Sequence, residues 1–214
     1  MMEQARLDKI LENHKLWLKT NGKQGERANL RSADLRSADL RYADLRYADL
    51  RSADLRSADL RYANLRSADL RYADLRYADL RSADLRYANL RSADLRSADL
   101  RSADLRSADL RYADLRYAHL RYADLRYADL RYADLRSADL DYSAFPLWCG
   151  GLDVHIDDKQ ATQLLYHLIR NVKYSKNTSK ALKKICRIKS LVKQANTFHR
   201  VKECGEIESE VDTE

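Results

Sequence analysis

Between Leu30 and Leu140 a leucine stands at every fifth position, in 23 consecutive units, and Phe145 takes the same slot in a twenty-fourth. An alanine lies two residues before every one of these leucines. Between alanine and leucine comes Asp, replaced by Asn29, Asn64, Asn89 and His119. Arg follows each leucine until Asp141 takes its place, and Ser or Tyr comes next. A period of five fits neither regular element: on an α-helix it scatters the leucines around the axis, and on a strand an odd period sends successive leucines to opposite faces. Keeping them on one side requires the chain to change direction once per unit. Each unit is therefore a very short strand followed by a tight turn, and the units bury their apolar residues only by stacking on one another, as in a β-solenoid.

The pattern changes at both ends. Leu7, Ile10, Leu11, His14, Trp17 and Leu18 recur at helical spacing, which predicts a helix from Met2 to Thr20 ended by Asn21-Gly22. Residues 1–27 are expected to cover the first coil, because an open solenoid end leaves backbone and apolar core exposed. After the repeat, Phe145 to Gly151 mark the exit, and Leu152, Val154 and Ile156 alternate like a last short strand. Asp157 or Asp158 is expected to cap a helix reaching about Tyr174, with Ala161, Leu164, Leu165, Leu168, Ile169 and Val172 on its apolar face. A second helix is predicted from Thr178 or Ser179 to about Phe198. Its apolar face is Leu182, Ile185, Cys186, Leu191, Val192 and Ala195.

The units Ala-Asp-Leu-Arg-Ser and Ala-Asp-Leu-Arg-Tyr resemble the pentapeptide-repeat family, whose pattern is a small residue, Asp or Asn, Leu or Phe, and two variable residues. The resemblance covers a little over half the chain. It implies an all-β solenoid, a right-handed quadrilateral β-helix with four units per coil, over residues 28–147. Leucines and alanines then point inward and the other three residues of each unit point outward. Twenty-four units make about six coils, some 29 Å tall at a strand spacing of ~4.8 Å. Residues twenty apart stack, so Leu30, Leu50, Leu70, Leu90, Leu110 and Leu130 form one column, and Leu35, Leu40 and Leu45 begin the other three, with Phe145 at the end of the core. Such an interior is full and leaves no ligand-sized cavity, so no small-molecule ligand and no cofactor are expected. The absence of glycine from the repeat favours type I turns at the Arg-Ser and Arg-Tyr corners, although the family also uses type II. Residues 148–200 are read as a two-helix cap, resembling the region that follows the repeats in some bacterial and phage pentapeptide-repeat proteins. Residues 201–214 form an acidic tail whose composition predicts disorder.

The net charge of +7 is unevenly placed. The segment 28–152 carries 22 Arg against 20 Asp, 153–200 carries +8, and 201–214 carries −5. The outside of the tower therefore reads as a lattice of Arg-Asp pairs. Family members that protect or inhibit DNA gyrase are understood as mimics of duplex DNA, which requires net negative charge. This balance disfavours that role.

The variable slot is Tyr 12 times and Ser 11 times between Ser32 and Tyr142. Ser92, Ser97, Ser102 and Ser107 ring one coil; Tyr112, Tyr117, Tyr122 and Tyr127 ring the next, with Tyr132 over Tyr112. A tyrosine belt flanked by arginines suits a protein or a single-stranded nucleic acid. Lys180, Lys183, Lys184 and Arg187 give the last helix a cationic face that suits phosphates or an acidic protein. The partner is thus an unknown protein or nucleic acid.

Cys149, His155, His167, Cys186, His199 and Cys204 lack the spacing of a zinc site. No catalytic constellation stands out from acids and serines that repeat throughout, so a non-catalytic interaction scaffold is expected. No run approaches the ~20 apolar residues of a membrane span. The odd number of cysteines and the polar start predict a cytoplasmic chain with reduced thiols, and covers at both ends predict a monomer.

Overall fold

The computed structural model describes residues 2–146, 154–174 and 189–197. They divide between two compact units, Met1–His155 and Ile156–Glu214.

In the first unit helix α1 (Gln4–Lys19) precedes the repeats. The repeats pair through isolated parallel bridges, each joining a residue to the one twenty further on: Asn29 to Asp49, Asp34 to Asp54, Asp39 to Asp59, Asp44 to Asn64, and so on to Asp124 with Ala144. Four units therefore complete one coil, and the bridging positions from Asn29 to Ala144 stack six coils deep. His155 adds a final bridge to Asp134, one residue late in this count.

Every backbone N–H of a unit has an assigned partner, as residues 73–77 show. Asp74 N–H donates to Ala53 O of the preceding coil at 2.9 Å, while Leu75 and Tyr77 donate to Asp94 O (2.7 Å) and Arg96 O (3.2 Å) of the next coil. Ala73 N–H closes the preceding corner on Leu70 O at 3.0 Å. Arg76 N–H is left over by the backbone, and the Asp74 carboxylate accepts it at 3.2 Å. The aspartate side chain thus replaces a backbone acceptor two residues on, an Asx turn built into the units that carry Asp or Asn before the leucine.

The corners are type II turns, not the type I turns that the lack of glycine favours. The Ser or Tyr at each corner has φ between 52° and 62°, while the Arg before it stays at negative φ. A left-handed residue other than glycine costs about 1–2 kcal/mol. The compensation is visible at the same residue: left-handed geometry aims its N–H at the Arg carbonyl of the next coil, as Ser57 does to Arg76 O at 3.0 Å.

The core lies where the leucine phase puts it. Every leucine from Leu30 to Leu140 is buried, as are the alanines from Ala48 to Ala138. Phe145, expected as core, is only half-buried, because the repeat stops there and no further leucine stacks on it.

α1 supplies the first coil with donors that an earlier coil would have offered. Met2 N–H donates to Asp34 O at 2.7 Å, Gln4 Nε2 to Asp39 O at 3.1 Å, and His14 Nε2 to Arg46 O at 3.0 Å. His14 Nδ1 accepts Ala28 N–H at 3.0 Å, which fixes the neutral tautomer with its proton on Nε2. Leu7 and His14 are the buried residues of α1, and the His14 ring stacks on Trp17 at 5.6 Å. Asn21 (φ 52°) and Gly22 (φ 81°) then turn the chain out of the helix.

In the second unit α2 (Asp158–Tyr174) and α3 (Lys189–Ala195) share a cluster of Tyr166, Ile169, Val192 and Ala195. A capping box opens α2: Gln160 N–H donates to Asp157 Oδ1 at 3.3 Å, and Asp157 N–H to Gln160 Oε1 at 3.0 Å. The buried stripe differs from the leucine-rich one read in the sequence. Ala161 and Leu168 are exposed, and Thr162 and Tyr166 are buried instead. The stripe is set by Tyr166, whose large ring faces α3, where Gln194 Nε2 donates to Thr162 Oγ1 at 3.3 Å. The predicted helix start at Thr178 or Ser179 lies outside the described residues.

Candidate interaction surface

The outside of the tower is built from the same Asx turn. Having accepted the Arg N–H, each aspartate also chelates the guanidinium of that arginine. In Asp74 the carboxylate takes Arg76 Nε at 2.8 Å and Nη2 at 2.6 Å. This fork recurs at every repeat aspartate from Asp34 to Asp134; examples are Arg61 on Asp59 and Arg116 on Asp114. Arginine Nε also reaches the aspartate of the next coil, as from Arg76 to Asp94 at 3.5 Å and from Arg86 to Asp104 at 3.5 Å. The expected Arg-Asp lattice is present, and its main bond is within the unit.

The electrostatics follow. The Arg41 guanidinium beside Asp39 holds its carboxyl down to about 2, and the Asp59 carboxylate raises Arg61 above its usual value. Each exposed pair contributes little to stability, but together they leave few carboxylates free to offer charge to a partner.

Four units lack the aspartate, and there the arginine behaves differently. Asn29, Asn64 and Asn89 still accept the backbone N–H of Arg31, Arg66 and Arg91 at 3.2–3.3 Å, but a neutral amide does not chelate the guanidinium. Arg66 lies over the ring of Tyr87 at 5.5 Å, and Arg91 over Tyr112 at 5.3 Å. Arg121, two residues after His119, sits 5.4 Å from the centroids of both Tyr122 and Tyr142. Tyr87, Tyr112 and Tyr142 each lie 21 residues beyond their arginine, at the next corner of the same column, whereas Tyr122 directly follows Arg121. Released from its carboxylate, the arginine turns to the aromatic ring.

The tyrosines themselves stand out from the corners. Tyr112, Tyr117, Tyr122, Tyr127 and Tyr132 are exposed by 49%, 61%, 56%, 72% and 49%. Tyr132 stacks on Tyr112 at 4.9 Å with the planes 17° apart, as the twenty-residue period requires. Tyr42 on Tyr62 (5.1 Å) and Tyr122 on Tyr142 (4.9 Å) form the same contact. Lys180, Lys183, Lys184 and Arg187 lie outside the described residues, as do Cys149, Cys186, His199 and Cys204. Among the described residues no group of His, Cys, Asp and Glu could hold a metal ion, and no helix is long and apolar enough to cross a membrane.

The pattern described as Pentapeptide repeats matches this sequence with eight copies, over residues 26–61, 48–86, 63–101 and 103–141. The chain belongs to the pentapeptide-repeat family. Solved structures similar to it include the pentapeptide-repeat protein Rfr23 from the cyanobacterium Cyanothece 51142, 33% identical, covering 44% of this chain and 60% of that one, with a TM-score of 0.39. Another is a pentapeptide-repeat protein from the Arabidopsis thaliana thylakoid lumen, 29% identical over 50% of this chain and 70% of that one, with a TM-score of 0.45. QnrB1, a plasmid-mediated fluoroquinolone resistance protein, is 23% identical over 69% of this chain and 75% of that one, with a TM-score of 0.40. This chain thus spans less than two thirds of the length of Rfr23. A comparison with curated proteins returns no match.

The Asx turn escaped the sequence reading, and type I was preferred at the corner over the type II that the structure shows. The signal for the first was present: the slot before leucine admits Asp and Asn, residues whose side chains accept a hydrogen bond from the backbone two residues on.

Proposed function

We propose that this pentapeptide-repeat chain is a non-catalytic scaffold, wound as a right-handed quadrilateral β-helix, that engages a protein through the tyrosines of its last coils. The observation that carries this reading is the Tyr112–Tyr132 stack, exposed beside a lattice in which Arg and Asp neutralise one another. Aromatic rings at fixed spacing on a rigid frame offer large contact area with little entropy left to lose, as tyrosine-rich recognition surfaces do. Mimicry of duplex DNA toward a type II topoisomerase is disfavoured by the same lattice, since a mimic needs rows of uncompensated carboxylates and these are chelated from Asp34 to Asp134.

The test is capture from a lysate of the host, with and without nuclease, by the whole chain and by a variant carrying Tyr112→Ser and Tyr132→Ser. Serine already occupies half of these corners, so the variant keeps the coil. The expected result is a protein held by the original chain, lost from the variant and unaffected by nuclease. Equal capture by both chains would contradict the reading. Nuclease-sensitive material would replace the protein partner with a nucleic acid, and capture of a topoisomerase regardless of the tyrosines would restore the mimic.

A further inference from the structure

The tyrosine column that begins at Tyr42 is broken in its middle. Tyr42 stacks on Tyr62, and Tyr122 stacks on Tyr142, but the two corners between are Ser82 and Ser102. Tyr62 and Tyr122 are three coils apart, about 14 Å at the strand spacing. Two aromatic rings are missing from the stack, and the gap is a groove of about 380 Å³ with the two serines along it.

The charge along this groove is uneven. Arg61, Arg81 and Arg101 are chelated by Asp59, Asp79 and Asp99. Arg121 is not, because His119 occupies the chelating position: its guanidinium makes no hydrogen bond or ion pair among the described residues, and its Nε is buried without a partner. His119 also removes a carboxylate from Arg101. Where Arg61 reaches Asp79 and Arg81 reaches Asp99 of the next coil, each at 3.6 Å, Arg101 has no such contact. One end of the groove therefore carries a cation that nothing in the lattice neutralises, beside a tyrosine wall.

The molecule contains its own contrast. A smaller groove of about 190 Å³ lies between Tyr77 and Tyr117, with Ser97 at the missing position. There Arg76, Arg96 and Arg116 are all chelated. It has aromatic walls without the uncompensated charge.

We propose that the groove between Tyr62 and Tyr122 binds a nucleotide, free or within a single strand. The base enters the missing steps over Ser102 and Ser82, stacked as the tyrosines stack on each other, and the phosphate meets Arg121 and Arg101. The gap admits two rings at the 4.9–5.1 Å spacing of the existing stacks, and a guanidinium with unused donors suits a phosphate oxygen fork. The full interior argues against a ligand inside the tower, whereas this groove lies on its outer face, so the expectation of no small-molecule ligand is revised here. The site is independent of the protein partner proposed above and is tested on the purified chain alone.

The experiment is calorimetric titration of the full chain with AMP, with a short oligo(dA) and with inorganic phosphate, repeated on three variants. His119→Asp restores the chelating carboxylate, Ser102→Tyr fills a missing step, and Ser97→Tyr fills the smaller groove. All three use residues that the repeat already carries at those slots, and unchanged thermal unfolding verifies the fold. AMP or oligo(dA) is expected to bind saturably, with affinity reduced about tenfold or more by His119→Asp and by Ser102→Tyr and unchanged by Ser97→Tyr. Tighter binding of the oligonucleotide than of AMP assigns the groove to a strand; equal binding assigns it to the free nucleotide. Absence of binding by both, affinity indifferent to Ser102→Tyr and His119→Asp, or phosphate binding as tightly as AMP would overturn the proposal.

Discussion

The smallest piece of this fold is a carboxylate with two tasks. Asp84 accepts the backbone N–H of Arg86 at 3.1 Å and chelates the same residue's guanidinium. The two tasks separate by substitution, because Asn64 and Asn89 keep the first and lose the second. Asp84→Asn should therefore cost little, since an exposed ion pair contributes little, whereas Asp84→Ala should cost about 1 kcal/mol more by stranding the Arg86 N–H. Urea unfolding of the two variants distinguishes them, and equal losses would show that the cap contributes nothing. The corner residue gives a second test. Ser57 sits at φ 56°, where asparagine is at ease and a β-branched residue is an outlier. Ser57→Val should destabilise by about 1–2 kcal/mol while Ser57→Asn is neutral or stabilising; a harmless valine in the same unfolding assay would contradict the left-handed assignment. The corner was misread because a missing glycine speaks only of the residue's own preference. The hydrogen bond that repays the strain goes to a residue nineteen positions away.

At the scale of elements, α1 stands where an earlier coil would, and His14 is its most specific contact. Burial lowers the pKa of His14 below its usual value; the hydrogen bond to the Arg46 carbonyl and the charge of Asp44 act the other way, and Arg27 and Arg46 add to the lowering. A histidine with a depressed folded pKa takes up its proton more readily when unfolded. Its contribution to stability is complete above the unfolded value of about 6.5 and is lost as pH falls through and below it. Where a neighbouring arginine lowers a carboxyl, as Arg41 does Asp39 and Arg61 does Asp59, the contribution is present above the unfolded value of about 4 and is lost as pH falls below it, outside that window. The melting temperature should fall between about pH 7.5 and about pH 5, and His14→Gln should flatten that slope; an unchanged slope would remove His14 from the account. The helical spacing of Leu7, Ile10, Leu11 and His14 was legible in the sequence, but which carbonyls the helix would serve was not, because those partners lie in coils still to come. In α2 a cap at Asp157 or Asp158 was legible, and Asp157 supplies it. The buried stripe was not, since Tyr166 gains a neighbour only when α3 packs against it.

At the scale of the molecule, the leucine period alone excludes straight helices and strands and implies a solenoid. It does not fix how many units close a coil. Four came from the family resemblance, and the bridges from Asn29–Asp49 onward bear it out. The even placement of Arg and Asp was enough to foresee the neutral lattice, and the Tyr112–Tyr132 stack follows directly from the twenty-residue register. The released arginines and the groove between Tyr62 and Tyr122 were not foreseen, because they depend on which column each substituted unit occupies. Under the proposed function, this tower offers a protein partner aromatic rings on a charge-balanced frame. The most direct test is the affinity for its captured protein partner measured from about 50 to about 200 mM salt, for the original chain and for one with Tyr112, Tyr117, Tyr122, Tyr127 and Tyr132 all changed to Ser. Affinity should barely change with salt and be lost in the serine variant; affinity that falls steeply with salt and survives the substitutions would contradict recognition through the tyrosines.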